Sequence, residues 1–207
     1  MPVSNRLPVT YMLIGINVLI SMFAFYSPAF FEAMLFQVGP VRDGEIYRLL
    51  TAGFLHADLM HLLFNMFTLF FFGPVLESDR LMGRARFLII YFAALLAGNL
   101  WALFAKFNEP FYAAVGASGA ISGVMIAVSL FVPFMMIFFF GIIPVPAILF
   151  AVLYIGYSAF AMGSANSTIG HEAHLGGAIA GLVLTLVMFP GVPGHLVRQF
   201  RQKFFRR

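Results

Sequence analysis

The chain has 207 residues, of which 62% are hydrophobic and 10% charged, with a formal net charge of +4 and a mean hydropathy of +0.97. An ordinary soluble domain carries roughly a quarter charged residues, so this composition excludes water as the main solvent and makes the chain an integral membrane protein. With no cysteine anywhere, disulfides, thiolate catalysis and Cys-ligated metals are excluded as well.

A helix that crosses a bilayer takes ~20 residues, which leaves room for about five to seven and little else. The expectation is one membrane domain over 1–207. Six apolar stretches follow one another at 9–26, 61–76, 87–104, 117–134, 145–162 and 174–189, separated by Pro28, Gly73-Pro74, Pro110, Pro133, Pro144, Pro146, Gly163 and Pro190, residues that end helices. The predicted fold class is therefore all-α and polytopic, with six transmembrane helices. Only Arg6 precedes the first stretch and no small-residue cleavage site follows it, so it reads as a retained helix. Residues 30–55 mix aromatics with Glu32, Arg42, Asp43, Glu45 and Arg48, the pattern of an interfacial loop. Residues 134–143 are apolar but too short to span, and a buried or re-entrant turn is expected there.

Arg6, then Arg80, Arg84 and Arg86 after the second stretch, then Arg198, Arg201, Lys203, Arg206 and Arg207 after the sixth, make nine of the twelve basic residues. The positive-inside rule puts them on the cytoplasmic side, with both termini inside and 190–207 a basic cytoplasmic tail. That tail reads as topology and adhesion to the anionic surface of the lipid bilayer, with no nucleic acid partner implied. Spans two, four and six then all start at the extracytoplasmic side, and so do the unusual polar residues.

His61 and Asn65 stand four apart in the first turns of span two and share one helical face. Ser118 opens span four within Gly116-Ala117-Ser118-Gly119-Ala120-Ile121-Ser122-Gly123, where unpaired backbone N–H groups at a helix start favour an anion. His174 lies in the first turn of span six. A hydroxyl needs a base within hydrogen-bond reach to become a nucleophile, and His174 is the candidate. Gly119 with Gly123, and Gly177 with Gly181, form small faces on which these two helices can approach closely. Each feature alone has a plain structural explanation, since small-residue faces are common in membrane helices and a lone His or Asn often only bridges them. Their convergence at one depth favours chemistry. His56 is expected at the interface bonding the first loop, His171 and Glu172 in a loop, Glu77 tied to neighbouring backbone or Arg80, Asn17 between helices, and residues 162–170 as a small, polar cap over the site.

Arg48 to His56, His56-Ala57-Asp58-Leu59-Met60-His61-Leu62-Leu63-Phe64-Asn65, Gly73 to Glu77, Gly116-Ala117-Ser118-Gly119 and Ala173-His174-Leu175-Gly176-Gly177 together resemble the rhomboid intramembrane serine proteases, in that family's order and over all but the first span and the tail. The resemblance implies a rhomboid-type six-helix domain with a Ser118 nucleophile, His174 as general base and an oxyanion hole from Asn65, His61 and the Ser118 backbone N–H. No cofactor and no metal are implied. It also implies single-span transmembrane proteins as substrates, cut near the extracytoplasmic boundary, and a cell inner or plasma membrane location. Tyr47-Arg48 stands where the family often has Trp-Arg. Ser122 stands where an aromatic often follows four residues after the serine, so the imidazole of His174 lacks a ring on that helix to stack against. Three other readings are a non-catalytic rhomboid-like protein that binds membrane clients, a hydrolase with a metal held by His56, His61, His171 and His174, and a small transporter, for which neither paired repeats nor midplane ionisable residues are evident. The second leaves Ser118 and Asn65 without a role, and His171-Glu172-Ala173-His174 lacks the spacing of a zinc-binding helix.

Overall fold

Pro8 sets the φ from which α1 (Val9–Tyr26) begins, and the end of that helix is held from outside. Its first backbone N–H groups, which no helix can pair internally, reach the Glu77 carboxylate from Val9 at 2.7 Å and Thr10 at 2.9 Å, and the Thr10 hydroxyl donates to it at 2.8 Å. Arg84 completes the clamp at 3.2 Å. Glu77 thus bonds neighbouring backbone as expected, and its arginine is Arg84 and not Arg80. The computed structural model describes residues 8–139, 142–161 and 170–205, so the expected cap over 162–170 lies, but for Gly170, outside the described residues.

After α1 the chain runs through α2 (Pro28–Met34), α3 (Val38–Arg42), α4 (Arg48–Thr51), α5 (Leu59–Glu77), α6 (Gly83–Ala105), α7 (Ser118–Phe131), α8 (Ala147–Ala161), α9 (His171–Met188) and α10 (Val192–Phe205). It is an all-α polytopic membrane protein. Among the described residues α1, α5, α6 and α9 are long and apolar enough to cross a membrane, while α7 and α8 are apolar and shorter. Prolines shorten those two. Val132, before Pro133, leaves helical geometry (φ −134°) and ends α7 ahead of the expected 134. Val145 and Pro146 belong to a strand, so α8 starts only at Ala147.

The described residues among 134–143 do not form a buried turn, one of the two expectations there. Strand β3 (Met136–Phe139) pairs antiparallel with β4 (Ile143–Pro146), Met136 opposite Pro146 and Phe139 opposite Ile143. Ile137 is buried while Met136, Phe138, Ile142 and Ile143 are exposed. Side chains alternate across a strand, so a hairpin with one free side cannot bury an unbroken apolar run.

The centre of the molecule is a three-helix contact of α6, α7 and α9. Lipid tails are as apolar as leucine, so membrane helices associate through close packing and not through escape from water. A Cβ on Gly177 would land on the Gly119 carbonyl oxygen, and one on Gly181 on the Gly123 backbone. The two glycine faces expected on α7 and α9 therefore meet each other. Gly176 and Gly98 make a second seam between α9 and α6, where a Cβ on Gly98 would land on the Ala173 carbonyl oxygen. Consecutive helical residues point ~100° apart, so Gly176 faces α6 and Gly177 faces α7.

The first loop is built around a buried arginine. Arg48 donates to the Glu45 carboxylate at 2.7 Å and to the carbonyls of Glu32 at 2.7 Å and Leu35 at 2.9 Å. Glu45 is held below the usual carboxylate range by the Arg48 and Tyr47 hydrogen bonds. A two-residue strand β1 (Phe36–Gln37) pairs with β2 (Ala113–Ala114), and Gly116 N–H donates to Ala52 at 2.9 Å. The loop thereby fixes the segment leading into α7.

Candidate active site

Gly116 has φ +120°, a value that L side chains rarely adopt, and this turn aims the chain into α7 with Ser118 as its first residue. A Cβ on Gly116 would stand 2.8 Å from His61 Nε2 and 3.7 Å from Ser118 Oγ, so glycine is required twice, for the turn and for the room. His174 is the fourth residue of α9. The Gly119–Gly177 contact draws the two helix starts together, and His174 Nε2 lies 2.7 Å from Ser118 Oγ. His174 is buried and Ser118 half-buried.

His61 and Asn65 share a face of α5 and line the same cavity, of about 690 Å³, with Ser118 and His174. All four residues singled out from the sequence are therefore brought together. Phe31 and Leu35 of the first loop, Ala113 to Val115 before α7, Phe64 and Thr68 of α5, Ile121 and Met125 of α7, and Phe150 and Tyr154 of α8 are also part of the lining. Phe150 of this lining lies 6.1 Å from the Phe72 ring, a contact that joins α8 to α5.

Hydrogen bonds decide which atoms can donate. Ala57 N–H donates to His61 Nδ1 at 3.3 Å, which leaves Nε2 as the protonated nitrogen, on the side of Gly116 and Ser118. Asn65 Nδ2 donates one hydrogen to the His61 carbonyl at 2.9 Å, and its amide has a second. Asp58 caps α5 by accepting from His61 N–H at 2.7 Å. An imidazole nitrogen 2.7 Å from a hydroxyl, beside donors on a second helix and an unpaired helix N-terminus, can take a proton from that hydroxyl and stabilise an oxyanion.

His56 is fully buried and bonds the first span through Ser21, which also holds the first loop. Ser21 Oγ donates to the Phe54 carbonyl at 2.9 Å and lies 2.8 Å from His56 Nδ1. Because the single Ser21 hydrogen is used, Nδ1 carries the proton. Burial, with His61 beside it, pushes the His56 pKa down to about 3, so the ring is neutral. His171 and Glu172, expected in a loop, open α9 and are buried. The Glu172 carboxylate suits a helix N-terminus; it accepts from the Tyr112 hydroxyl at 3.2 Å and lies 3.8 Å from Lys106 Nζ. Burial and the Glu172 charge raise the Tyr112 pKa. Among the described residues no three His, Asp or Glu side chains converge as a metal site, and both ring nitrogens of His174 face serine hydroxyls.

Two contacts of His174 had no counterpart in the sequence reading. The Tyr154 ring stacks on its imidazole, centroids 5.1 Å apart and planes at 30°, and Ser158 Oγ lies 3.2 Å from Nδ1. Both come from α8, one turn apart. The i, i+4 spacing of a Tyr and a Ser in an apolar helix was the available signal, and it is weak.

The Rhomboid domain model matches residues 43–191. This chain belongs to the rhomboid family. It is 38% identical over 148 residues to YdcA of Bacillus subtilis (strain 168), named as a candidate rhomboid protease, covering 71% of this chain and 69% of that protein. The rhomboid protease GluP of the same organism is 35% identical over 141 residues, 68% of this chain and 26% of GluP. Inactive RHOMBOID-like protein 8 of Arabidopsis thaliana is 34% identical over 83 residues, 40% of this chain and 23% of that protein. The rhomboid domain here is thus similar to proteins named as proteases and to one named as inactive. Membership alone does not decide activity.

Proposed function

We propose that this rhomboid is an intramembrane serine protease that cuts transmembrane substrates with Ser118 and His174. The observation that carries the reading is the 2.7 Å approach of His174 Nε2 to Ser118 Oγ at the wall of the 690 Å³ cavity. His174 takes the Ser118 proton as Oγ bonds to the substrate carbonyl carbon. The Ser118 backbone N–H, Asn65 Nδ2 and His61 Nε2 donate to the resulting oxyanion. The imidazolium then protonates the departing amine, the C–N bond breaks, and an acyl-serine remains. Water, deprotonated by His174, repeats the attack and releases the acid and the serine.

Single-span transmembrane proteins are the proposed substrates. A peptide bond inside a membrane helix has its carbonyl paired and shielded, so the helix must unwind locally, which Gly, Pro or polar residues make less costly. The cavity lies between α5 and α8, the proposed path of access. The glycines flanking Ser118, at 116 and 119, together with the family resemblance support a small residue before the cut. Arg86 stands over the Phe189 ring, 5.2 Å from its centroid, and Phe134 packs against Phe200 and Phe204 of α10. Arg84 against Glu77, Arg86 over Phe189 and Lys203 over Phe134 thus lie at the end opposite the cavity, which supports both termini on the cytoplasmic side, α10 as a tail on the lipid surface and a cavity open to the extracytoplasmic side of a cell inner or plasma membrane, in a chain proposed to be one rhomboid domain throughout.

Purified protein in detergent, given a model single-span substrate, should release fragments whose new termini map near the extracytoplasmic end. Ser118→Ala should abolish both cleavage and labelling by a fluorophosphonate, and Asn65→Ala should slow cleavage by ~10²–10³, the usual effect of removing one oxyanion donor. Fragments formed equally by Ser118→Ala would overturn the reading. A wild-type chain that retains the substrate without cutting it would show a client-binding protein instead.

A further inference from the structure

We infer that Tyr154 and Ser158 of α8 are the positioning residues of the general base, doing jointly what a carboxylate does in a three-residue serine protease site. The inference rests on the proposed protease chemistry. For Ser118 to lose its proton to Nε2, the other nitrogen of His174 must carry hydrogen, and Nδ1–H then needs an acceptor. Ser158 Oγ, fully buried at 3.2 Å, is in place to accept it. A single hydrogen bond leaves the ring free to swing about the bond axis, which lies in the ring plane. The Tyr154 ring, stacked at 5.1 Å and 30°, closes that freedom from one face. The two restraints are orthogonal, one along the nitrogen axis and one normal to the ring. On α7 the position one turn after the nucleophile is Ser122, a residue without a ring, whose hydroxyl donates to the Ser118 carbonyl at 2.7 Å, so the ring that faces the imidazole comes from α8.

This placement makes α8 part of the reacting assembly. Any outward movement of α8 that admits a substrate also removes both restraints on His174, so α8 has to return before Ser118 can be acylated.

Tyr154→Phe, Tyr154→Leu and Ser158→Ala variants test this, by steady-state cleavage of a model transmembrane substrate and by the rate of fluorophosphonate labelling of Ser118. Phe keeps the flat ring and should keep kcat. Leu fills similar volume without a face to stack on and should lower kcat by ~10–100-fold with KM and the thermal midpoint little changed, the scale expected when a reacting group is misplaced by about 1 Å. Ser158→Ala should lower kcat by ~3–10-fold, the loss of one net hydrogen bond. A Leu variant with the kcat of the Phe variant, or a loss confined to KM and thermal midpoint, overturns the inference while leaving the protease reading intact. Absence of cleavage and labelling in the wild type itself removes both.

Discussion

The two seams that meet at His174 are built in opposite ways. Between α7 and α9 backbone lies against backbone: Gly119 with Gly177 and Gly123 with Gly181 leave no room for a Cβ. Between α8 and α9 the meeting near the site is made of side chains, a tyrosine ring on an imidazole and a serine hydroxyl on a ring nitrogen, and Gly156 of α8 has nothing within 4 Å of a Cβ position. A backbone seam has one arrangement, because shifting it by a fraction of an ångström brings carbonyl onto Cα. A side-chain seam can open and close through rotamers and small helix motions. The molecule thus places the distance between Ser118 and His174 on the rigid seam and the orientation of the imidazole on the adjustable one.

The strongest way to break this contrast is to put a side chain into the rigid seam. Gly177→Val would drive its side chain into the Gly119 carbonyl, and overpacking of this kind typically costs ~1–3 kcal/mol or more; the expected outcome is a large fall in thermal midpoint and loss of Ser118 labelling. A variant that keeps both would show that α7 and α9 do not depend on backbone contact.

A second test lies where the rigid half meets the first span, and its variable is pH. The buried His56, with a pKa near 3 in the folded chain against ~6.5 when exposed, is a depressed group. Its neutral form is favoured by folding, so the stability it contributes is present above pH ~6.5 and declines as pH falls toward 3, by up to ~1.4 kcal/mol per unit. Thermal midpoints measured from pH 7 to pH 4 should decline, and the slope should flatten in His56→Gln. Equal slopes in the two chains would contradict the burial argument.

The smallest effect is expected on the adjustable side. Gly156→Ala places a methyl in open space on α8 and replaces the residue with the poorer helix propensity, so midpoint and activity should stay level or rise slightly, by up to ~1 kcal/mol. A marked loss of activity would mean that α8 packs more closely than its surface suggests.

Much of the site was legible because its signals are local. Gly-x-x-x-Gly on two helices, His and Asn four apart, and a serine opening a helix are patterns within a few residues of one chain segment, and their common depth follows from counting spans. Tyr154 and Ser158 were not legible, since in an apolar helix a Tyr and a Ser at i, i+4 read as ordinary packing, and only their closeness to His174 gives them meaning. The second glycine seam, Gly98 with Gly176, escaped because the residues at i±4 from Gly98 are Ala94 and Ala102, and alanines recur on every side of α6. The hairpin 136–146 escaped because an apolar run between prolines does not say which of its faces will meet protein.

By itself the sequence determined the solvent, the order of the apolar spans and which residues could carry chemistry, because hydropathy, proline and small-residue spacing act over one or two turns. What only the tertiary structure decided is how α6, α7 and α9 dock, which tautomers the histidines adopt and which helix holds the base in place. Those depend on atoms far apart in the chain meeting within 3 to 5 Å, a condition that no local pattern encodes.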